Sequence, residues 1–417
     1  MVERRQLGEG SGGFRGRFQL AWADPTEKTW ARRQAGGRAQ IRALNADAPP
    51  ASTHALDKRP SLSPSDSLLA TARRVPPAVA VALLCLVATL LANAVLKHES
   101  GIRGDDPYYE RMATHPGGPH TFPYAYRIAV PWVVHVLPFS HTTSFTLLAC
   151  LSLAVTGGVL FTLLGIFDVR PRLSVALVVG LVLSPAALVV ILRHGRNVDP
   201  ESLLVLTLGT LFIVRRQKLA LGITMLIGAT VRESSLFLIP FAYAVWAERL
   251  FDRQALKDTA MVSALPAILY LFMRTSIDAR GKEWPGTLLS ARWNVIKEAL
   301  RGGGWHVEAR RMAYVFGPIW VVAPFALLTL RFARRSLVLV ALCVVSMTFA
   351  LDWGRVIFLA APVFYIAAGH VIKDRRRLAI ATVTLLLAMD LGYAIYMQAY
   401  GVKHGLDAPL VPTERVY

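Results

Sequence analysis

Eleven apolar runs occupy the chain from residue 76 to residue 398. They lie at about 76–96, 142–167, 173–192, 201–214, 217–231, 234–247, 259–273, 313–330, 336–351, 356–372 and 378–398. A helix needs about 20 residues to cross the hydrocarbon core, within a range of about 17–25. The first three runs and the last have that length. Those at 201–214, 217–231 and 234–247 are short, and read as extended by polar flanks, broken or partly re-entrant. Hydrophobic residues make up 54% of the 417 residues and charged residues 18%. A soluble domain of this size needs more polar surface. The expected fold is therefore all-α: a polytopic membrane helix bundle of about 11 spans, give or take one or two, with external juxtamembrane helices.

A formal charge of +19 would suit a nucleic-acid partner, but its distribution argues against one. The basic residues form short clusters between apolar runs. Reading alternate gaps gives Arg73 and Arg74, Arg170 and Arg172, then Arg215, Arg216 and Lys218. Arg249, Arg253 and Lys257 follow, then Arg331, Arg334 and Arg335, and finally Lys373 with Arg375, Arg376 and Arg377. All fall on one side if each run crosses once, and the positive-inside rule makes that side cytoplasmic. The expected placement is integral to the plasma (inner) membrane, multi-pass, with a cytoplasmic N-terminus and an external C-terminal tail at 401–417. Residues 1–75, rich in Gly, Arg, Ala, Ser and Pro, have neither a sustained apolar period nor an h-region, and read as a disordered cytoplasmic tail. A start codon assigned too far upstream would give the same appearance. The transmembrane domain spans 76–400, with external loops at 97–141 and 274–312. Cys85, Cys150 and Cys343 lie inside apolar runs and read as small core residues.

The opposite gaps hold the unusual polar groups. Gly104-Asp105-Asp106-Pro107-Tyr108-Tyr109-Glu110 follows the first run. A helix turns by about 100° per residue, so Asp105 and Asp106 cannot both face one pocket. One of them suits a general base; equally, with Pro107 in the first turn, either suits an N-cap. Arg232 and Glu233 sit between short apolar runs, where a charge near the bilayer centre costs about 2.5–3.5 kcal/mol and usually faces a polar cavity. A tight turn with the two side chains paired is the other reading. Arg355, after Asp352 and Trp353, suits bidentate phosphate binding or an interfacial anchor. Arg127 is open between the same two roles. Asp199, before Pro200, reads first as a helix cap, and Asp390 as a helix–helix hydrogen-bonding group. His115 and His120 could join in binding a divalent ion, but their spacing matches no defined metal site and they read as loop histidines. In the long loop, Leu289, Trp293, Ile296 and Leu300 share one helical face opposite Arg292, Lys297, Glu298 and Arg301, the pattern of an interfacial amphipathic helix. No internal repeat is evident.

Taken together, these residues resemble the GT-C superfamily of polytopic, polyprenyl-phosphate-sugar-dependent membrane glycosyltransferases. The likeness rests on Gly104-Asp105-Asp106-Pro107-Tyr108-Tyr109 after the first run and on Tyr126-Arg127-Ile128-Ala129-Val130-Pro131 leading into the second. It rests also on Asp199-Pro200 before a Leu-rich run, on Arg232-Glu233 after Gly228-Ala229-Thr230, and on Arg355 with Pro362. It covers roughly 76–400, and each motif is short. The resemblance implies a GT-C-like bundle, an acidic base in the first external loop at Asp105 or Asp106, and a cation near the lipid phosphate, drawn from Arg127, Arg232 and Arg355. Some members of the superfamily need a divalent metal and others do not. The chain departs from the pattern in its short middle runs and in lacking a large soluble C-terminal domain.

The function expected from sequence is transfer of a sugar from a polyprenyl-phosphate donor to a glycan, lipid or protein acceptor on the external face, with the lipid bilayer as setting and no nucleic acid. Asp105 or Asp106 is the base, with Asp105 preferred. Arg127, Arg232, Glu233, Arg355, Asp199 and Tyr109 are the substrate- or phosphate-binding candidates. One rival is a transporter or flippase for a lipid-linked or anionic solute, with Arg232 and Glu233 lining its path. Another is a non-catalytic scaffold of a cell-envelope assembly. A transporter favours paired repeats with matching broken helices.

Overall fold

The computed structural model describes residues 76–96, 105–118, 120–192, 195–280, 293, 297, 312–347 and 353–400. The tails at 1–75 and 401–417 and most of the amphipathic segment at 289–301 lie outside these residues. Within that segment Trp293 and Lys297 are helical, one turn apart, and the Lys297 ammonium stands 5.7 Å from the Trp293 ring centroid.

The described chain is all-α apart from one pair of two-residue strands. In order come α1 (Pro77–Val95), α2 (Asp106–Thr114), α3 (Ala129–Val136), α4 (His141–Ile166), α5 (Pro171–Val182), α6 (Pro185–Leu192), α7 (Asp199–Val214) and α8 (Lys218–Val231). Then follow α9 (Leu238–Trp246), α10 (Arg253–Ser276), α11 (Ile319–Val322), α12 (Ala326–Thr329), α13 (Arg331–Met347), α14 (Trp353–Phe358), α15 (Ala361–Ile372) and α16 (Arg376–Tyr400). Local chemistry sets many of the starts. Proline occupies the first turn of α1, α2, α5, α7 and α15, where its missing N–H costs nothing and its fixed φ is already helical. Ser140 caps α4 through Thr143 N, and Asp252 caps α10 through Gln254 N and Ala255 N.

Among the described residues, α1, α4, α10 and α16 are long and apolar enough to cross a membrane. Of the apolar stretch of α4, 61% is buried, against 17%, 22% and 22% for α1, α10 and α16, so α4 is the hub and the others lie outside it. Their outward faces carry Leu83 and Leu91, Leu265 and Phe272, and Leu385 and Ile395, all exposed. Contiguous apolar faces of this kind are uncommon on soluble monomers but at home against acyl chains. These apolar helices associate the chain with a membrane. Close packing of α1 on α4 depends on Gly158, where a Cβ would stand 2.8 Å from the Ala78 carbonyl oxygen, a small-residue contact typical of membrane helices.

Several apolar runs are broken, including one long enough by sequence to cross in a single helix. The run at 173–192 stops at Val182 and restarts at Pro185 as α6, because proline withholds an N–H and disfavours the α conformation in the residue before it. The run at 313–330 is interrupted at Gly317-Pro318 and again around Pro324, between α11 and α12. The run at 356–372 splits into α14 and α15 just before Pro362. A 3-10 turn, Glu233–Phe237, precedes α9.

Two features position the polar ends of these helices. The hairpin of α7 and α8 turns at Arg216, which adopts a φ of 53°, and returns the chain so that Arg232 lies beside Asp199. Beyond α2, strand β1 (His120–Thr121) pairs in parallel with β2 (Ala279–Arg280), His120 opposite Ala279 and Thr121 opposite Arg280. The loop carrying Tyr124 and Arg127 is thereby tied to the chain leaving α10. Elsewhere, residues of the basic clusters have local partners, and Lys218 Nζ lies 2.7 Å from Asp258 Oδ1. Arg335 donates to the carbonyls of Ala244, Val245 and Ala247 at the end of α9, and Lys373 donates to Phe167 O, 3.1 Å away, after α4. Cations there satisfy carbonyls left open at helix C-termini.

Candidate functional site

Asp105 occupies the position before the first residue of α2, but its side chain makes no capping hydrogen bond. Instead Tyr124 donates to Oδ1 at 2.7 Å and Arg355 donates through Nη2 to Oδ2 at 2.8 Å. The cap reading therefore fails for this carboxylate. Asp106, the next residue, is itself buried, 5% exposed, in the first turn of α2. The rotation of about 100° per residue separates the two carboxylates.

Arg355 continues the network. Its Nη1 lies 3.2 Å from Asp199 Oδ2, and Arg232 donates through Nη1 to Asp199 Oδ1. Asp199 thus lies between two guanidiniums. Its expected capping role is corrected by position: it is the first residue inside α7, and its own backbone N–H donates to Asn197 Oδ1 at 2.8 Å. A side-chain turn at Asn197 does the local work, leaving the Asp199 carboxylate, 8% exposed, for the arginines.

A second pair lies alongside. Arg127 donates through Nε to Glu233 Oε2 at 3.1 Å and through Nη2 to Glu233 Oε1 at 2.6 Å. It also donates through Nη1 to the Tyr109 hydroxyl at 2.8 Å. The two-pronged geometry is that of a strong, planar arginine–carboxylate pair. It replaces the tight-turn reading in which Glu233 pairs with its neighbour Arg232. Gly228 makes room for this corner: a Cβ there would stand 2.6 Å from Val205 Cγ1 and 2.7 Å from Ser235 Cβ. The Gly228 carbonyl accepts the Arg232 N–H at 2.9 Å.

Aromatic rings pack the loop. Tyr124 stacks on Tyr108 with centroids 4.4 Å apart and meets Tyr109 edge-on at 5.4 Å. Arg274, from the end of α10, lies 4.1 Å over the Tyr126 ring and donates to Tyr270. Burial by itself would raise the Asp105 carboxyl. The Arg355 charge, the hydrogen bonds from Tyr124 and Arg355, and the Arg127 charge together outweigh it and hold Asp105 well below the usual carboxylate range. Burial pushes the Tyr124 phenol up, and the charge of Asp105 adds to the shift.

Among the sequence-selected residues, Asp105, Tyr109, Arg127, Asp199, Arg232, Glu233 and Arg355 join these linked pairs. Sequence reading missed Tyr124, whose signal was its place three residues before Arg127 on one short turn. It also missed Asn197, two residues before Asp199. A further cluster joins Glu110 with His141 Nδ1 at 3.0 Å and Arg196 Nε at 3.1 Å. Asp390 departs from its expected role. It is 4% exposed and neither carboxylate oxygen has a hydrogen-bond partner among the described residues. His120 Nε2 is 3.1 Å from Pro116 O, inside its own loop.

No three His, Cys, Asp or Glu side chains among the described residues are placed to share a metal ion. Asp105, Asp199 and Glu233 each already face a guanidinium, whose charge repels a divalent cation. In this arrangement the carboxylates do not form a fitted metal site.

Fold and site together define a helical, membrane-associated protein with an arginine–carboxylate network gathered at helix ends. Compared with protein-family models, curated proteins and solved structures, the chain has no match.

Proposed function

We propose that the protein is an integral membrane glycosyltransferase that moves a sugar from a polyprenyl-phosphate donor to an acceptor hydroxyl, with a GT-C-like bundle of about 11 spans. One observation carries the reading. Asp105, Asp199, Arg232 and Arg355, from four distant parts of the sequence, meet at the ends of apolar helices. Arg127 and Glu233 lie alongside. A donor whose tail lies in lipid and whose phosphate lies at the interface needs such a combination. The proposed placement is the plasma membrane, with a cytoplasmic N-terminus and the network on the external face.

In this reading Asp105 accepts the proton of the acceptor hydroxyl, whose oxygen attacks the anomeric carbon. The bond from that carbon to the phosphate oxygen breaks, and the phosphate leaves with the electron pair. A positioned base is worth about 10²–10⁴-fold in rate. Because the leaving group is already a phosphate, a second carboxylic acid is unnecessary, unlike in glycoside hydrolysis. Arginines fixed in advance stabilise the charge as it develops.

The test is sugar transfer in membranes with a lipid-linked donor. Asp105→Asn should lower transfer by about 10²–10⁴-fold, while Asp106→Asn should retain most of it. Full activity in Asp105→Asn would end the assignment. A second reading, a transporter or flippase, draws on the broken runs at 173–192, 313–330 and 356–372, since discontinuous helices line many transport sites. Movement of a lipid-linked anion across vesicles without sugar transfer would favour it.

A further inference from the structure

The Asp105 carboxylate is poorly disposed to act as a base in the arrangement just described. Both of its oxygens accept charged or polar donors, Oδ1 from Tyr124 and Oδ2 from Arg355. The groups around it are Tyr108, Tyr109, Tyr124, Arg127 and Arg355, with Asp106 next in the chain and Asp199 and Arg232 beyond Arg355. A base serves best when its proton affinity lies near the working pH, and these partners push Asp105 the other way. The phosphate site has a matching difficulty. Arg355 bridges Asp105 and Asp199, Arg232 is held by Asp199, and Arg127 is held by Glu233. An incoming phosphate cannot reach any of these guanidiniums at full strength without competing with a carboxylate.

One exchange resolves both difficulties. Arg355 is the guanidinium shared between two aspartates, and Asp105 is the more exposed of the two at 20%, against 8% for Asp199. Displacing Asp105 gives up one 2.8 Å hydrogen bond but leaves Asp199, the more buried of the two, beside both Arg355 and Arg232. Resting on the glycosyltransferase reading, we infer that Arg355 is an exchangeable latch: the donor phosphate takes its Nη2 from Asp105, and loss of that partner turns Asp105 into a competent base. The phosphate brings negative charge beside a freed and partly buried carboxylate. Both effects raise the proton affinity of Asp105, so donor binding and base activation are coupled. Before the donor arrives the base is held inactive.

The distinguishing consequence is that removing the base charge should tighten phosphate binding. The full-length protein in nanodiscs would be titrated with undecaprenyl phosphate, with undecaprenol as control. Asp105→Asn keeps an acceptor for Tyr124 but loses the competing charge, and should bind undecaprenyl phosphate about ten-fold more tightly, a step of one charge-assisted contact. Asp106→Asn should bind like wild type. Equal or weaker binding by Asp105→Asn overturns the latch. A second measurement compares wild type with Asp105→Asn, so that the phosphate's own ionisation at about pH 6 cancels: near pH 5, wild type should take up more protons on binding, read from how the binding enthalpy changes with the ionisation enthalpy of the buffer. Equal buffer dependence in the two proteins overturns it too. A wild-type protein that transfers sugar while Asp105→Asn shows no tightening loses the latch and keeps the enzyme reading. Proton uptake by wild type in excess of Asp105→Asn, with the expected tightening in that variant but no sugar transfer by wild type, keeps the latch and loses the reaction. Failure to bind undecaprenyl phosphate at all overturns both.

Discussion

Arg355 donates to Asp105 at 2.8 Å across 250 residues of sequence. The contact joins the start of α14 to the residue preceding α2, so segments far apart in the helical domain share one charged centre. Removing one member of a buried, hydrogen-bonded ion pair leaves the other without compensation, a cost of about 3–5 kcal/mol where burial is complete. Arg355→Met should therefore destabilise the detergent-solubilised protein as well as abolish its binding of undecaprenyl phosphate. A variant with wild-type thermal stability would mean that the pair is not formed in solution.

Acid stability offers a check on the same pair. The folded carboxyl of Asp105 is held below its unfolded value near 4. A depressed carboxyl contributes stability that is present above the unfolded value and fades as pH falls through the folded one. Wild type should lose stability relative to Asp105→Asn as pH is lowered below about 4. A constant difference in melting temperature between the two from pH 7 to pH 3 would contradict the assignment.

Tyr124→Phe removes one of the hydrogen bonds that lower the proton affinity of Asp105. The acid limb of the transfer-rate profile should move to higher pH, with kcat reduced by about ten-fold or less, one neutral-donor contact to a charged acceptor. An unmoved acid limb would separate Asp105 from the kinetic base.

The Arg127–Glu233 pair can be measured by a double-mutant cycle. Glu233 is 34% exposed, so solvent screening lowers its worth below that of a fully buried pair. Arg127→Lys and Glu233→Gln should couple by about 1–2 kcal/mol, because lysine keeps the charge but loses the two-pronged geometry. Additive effects would show that the bidentate contact contributes nothing.

Gly228→Ala tests the backbone that delivers Arg232. Its methyl group would meet Val205 and Ser235 at 2.6 and 2.7 Å, and overpacking of this kind costs about 1–3 kcal/mol. Loss of phosphate-lipid binding that exceeds the loss of stability is the expected pattern. Unchanged stability and binding would show that the corner yields easily.

Apolar composition and the succession of apolar runs were enough to give an all-helical chain associated with a membrane, because each span must satisfy its own backbone hydrogen bonds in lipid. Sequence also selected Asp105, Tyr109, Arg127, Asp199, Arg232, Glu233 and Arg355, since charges beside apolar runs are conspicuous. It could not assign their partners. Local rules favoured a cap for Asp199 and a neighbour pair for Arg232 and Glu233. Only the return of α8 along α7, the pairing of β1 with β2 and the arrival of α14 decided otherwise. Nor did the length of the run at 173–192 reveal its break between Val182 and Pro185. Local rules act over a few residues, whereas the partners of Asp105 are 19 and 250 residues away. Whether a carboxylate caps its own helix or binds a distant guanidinium depends on which donor the packed helices deliver to it, and that is a property of tertiary structure.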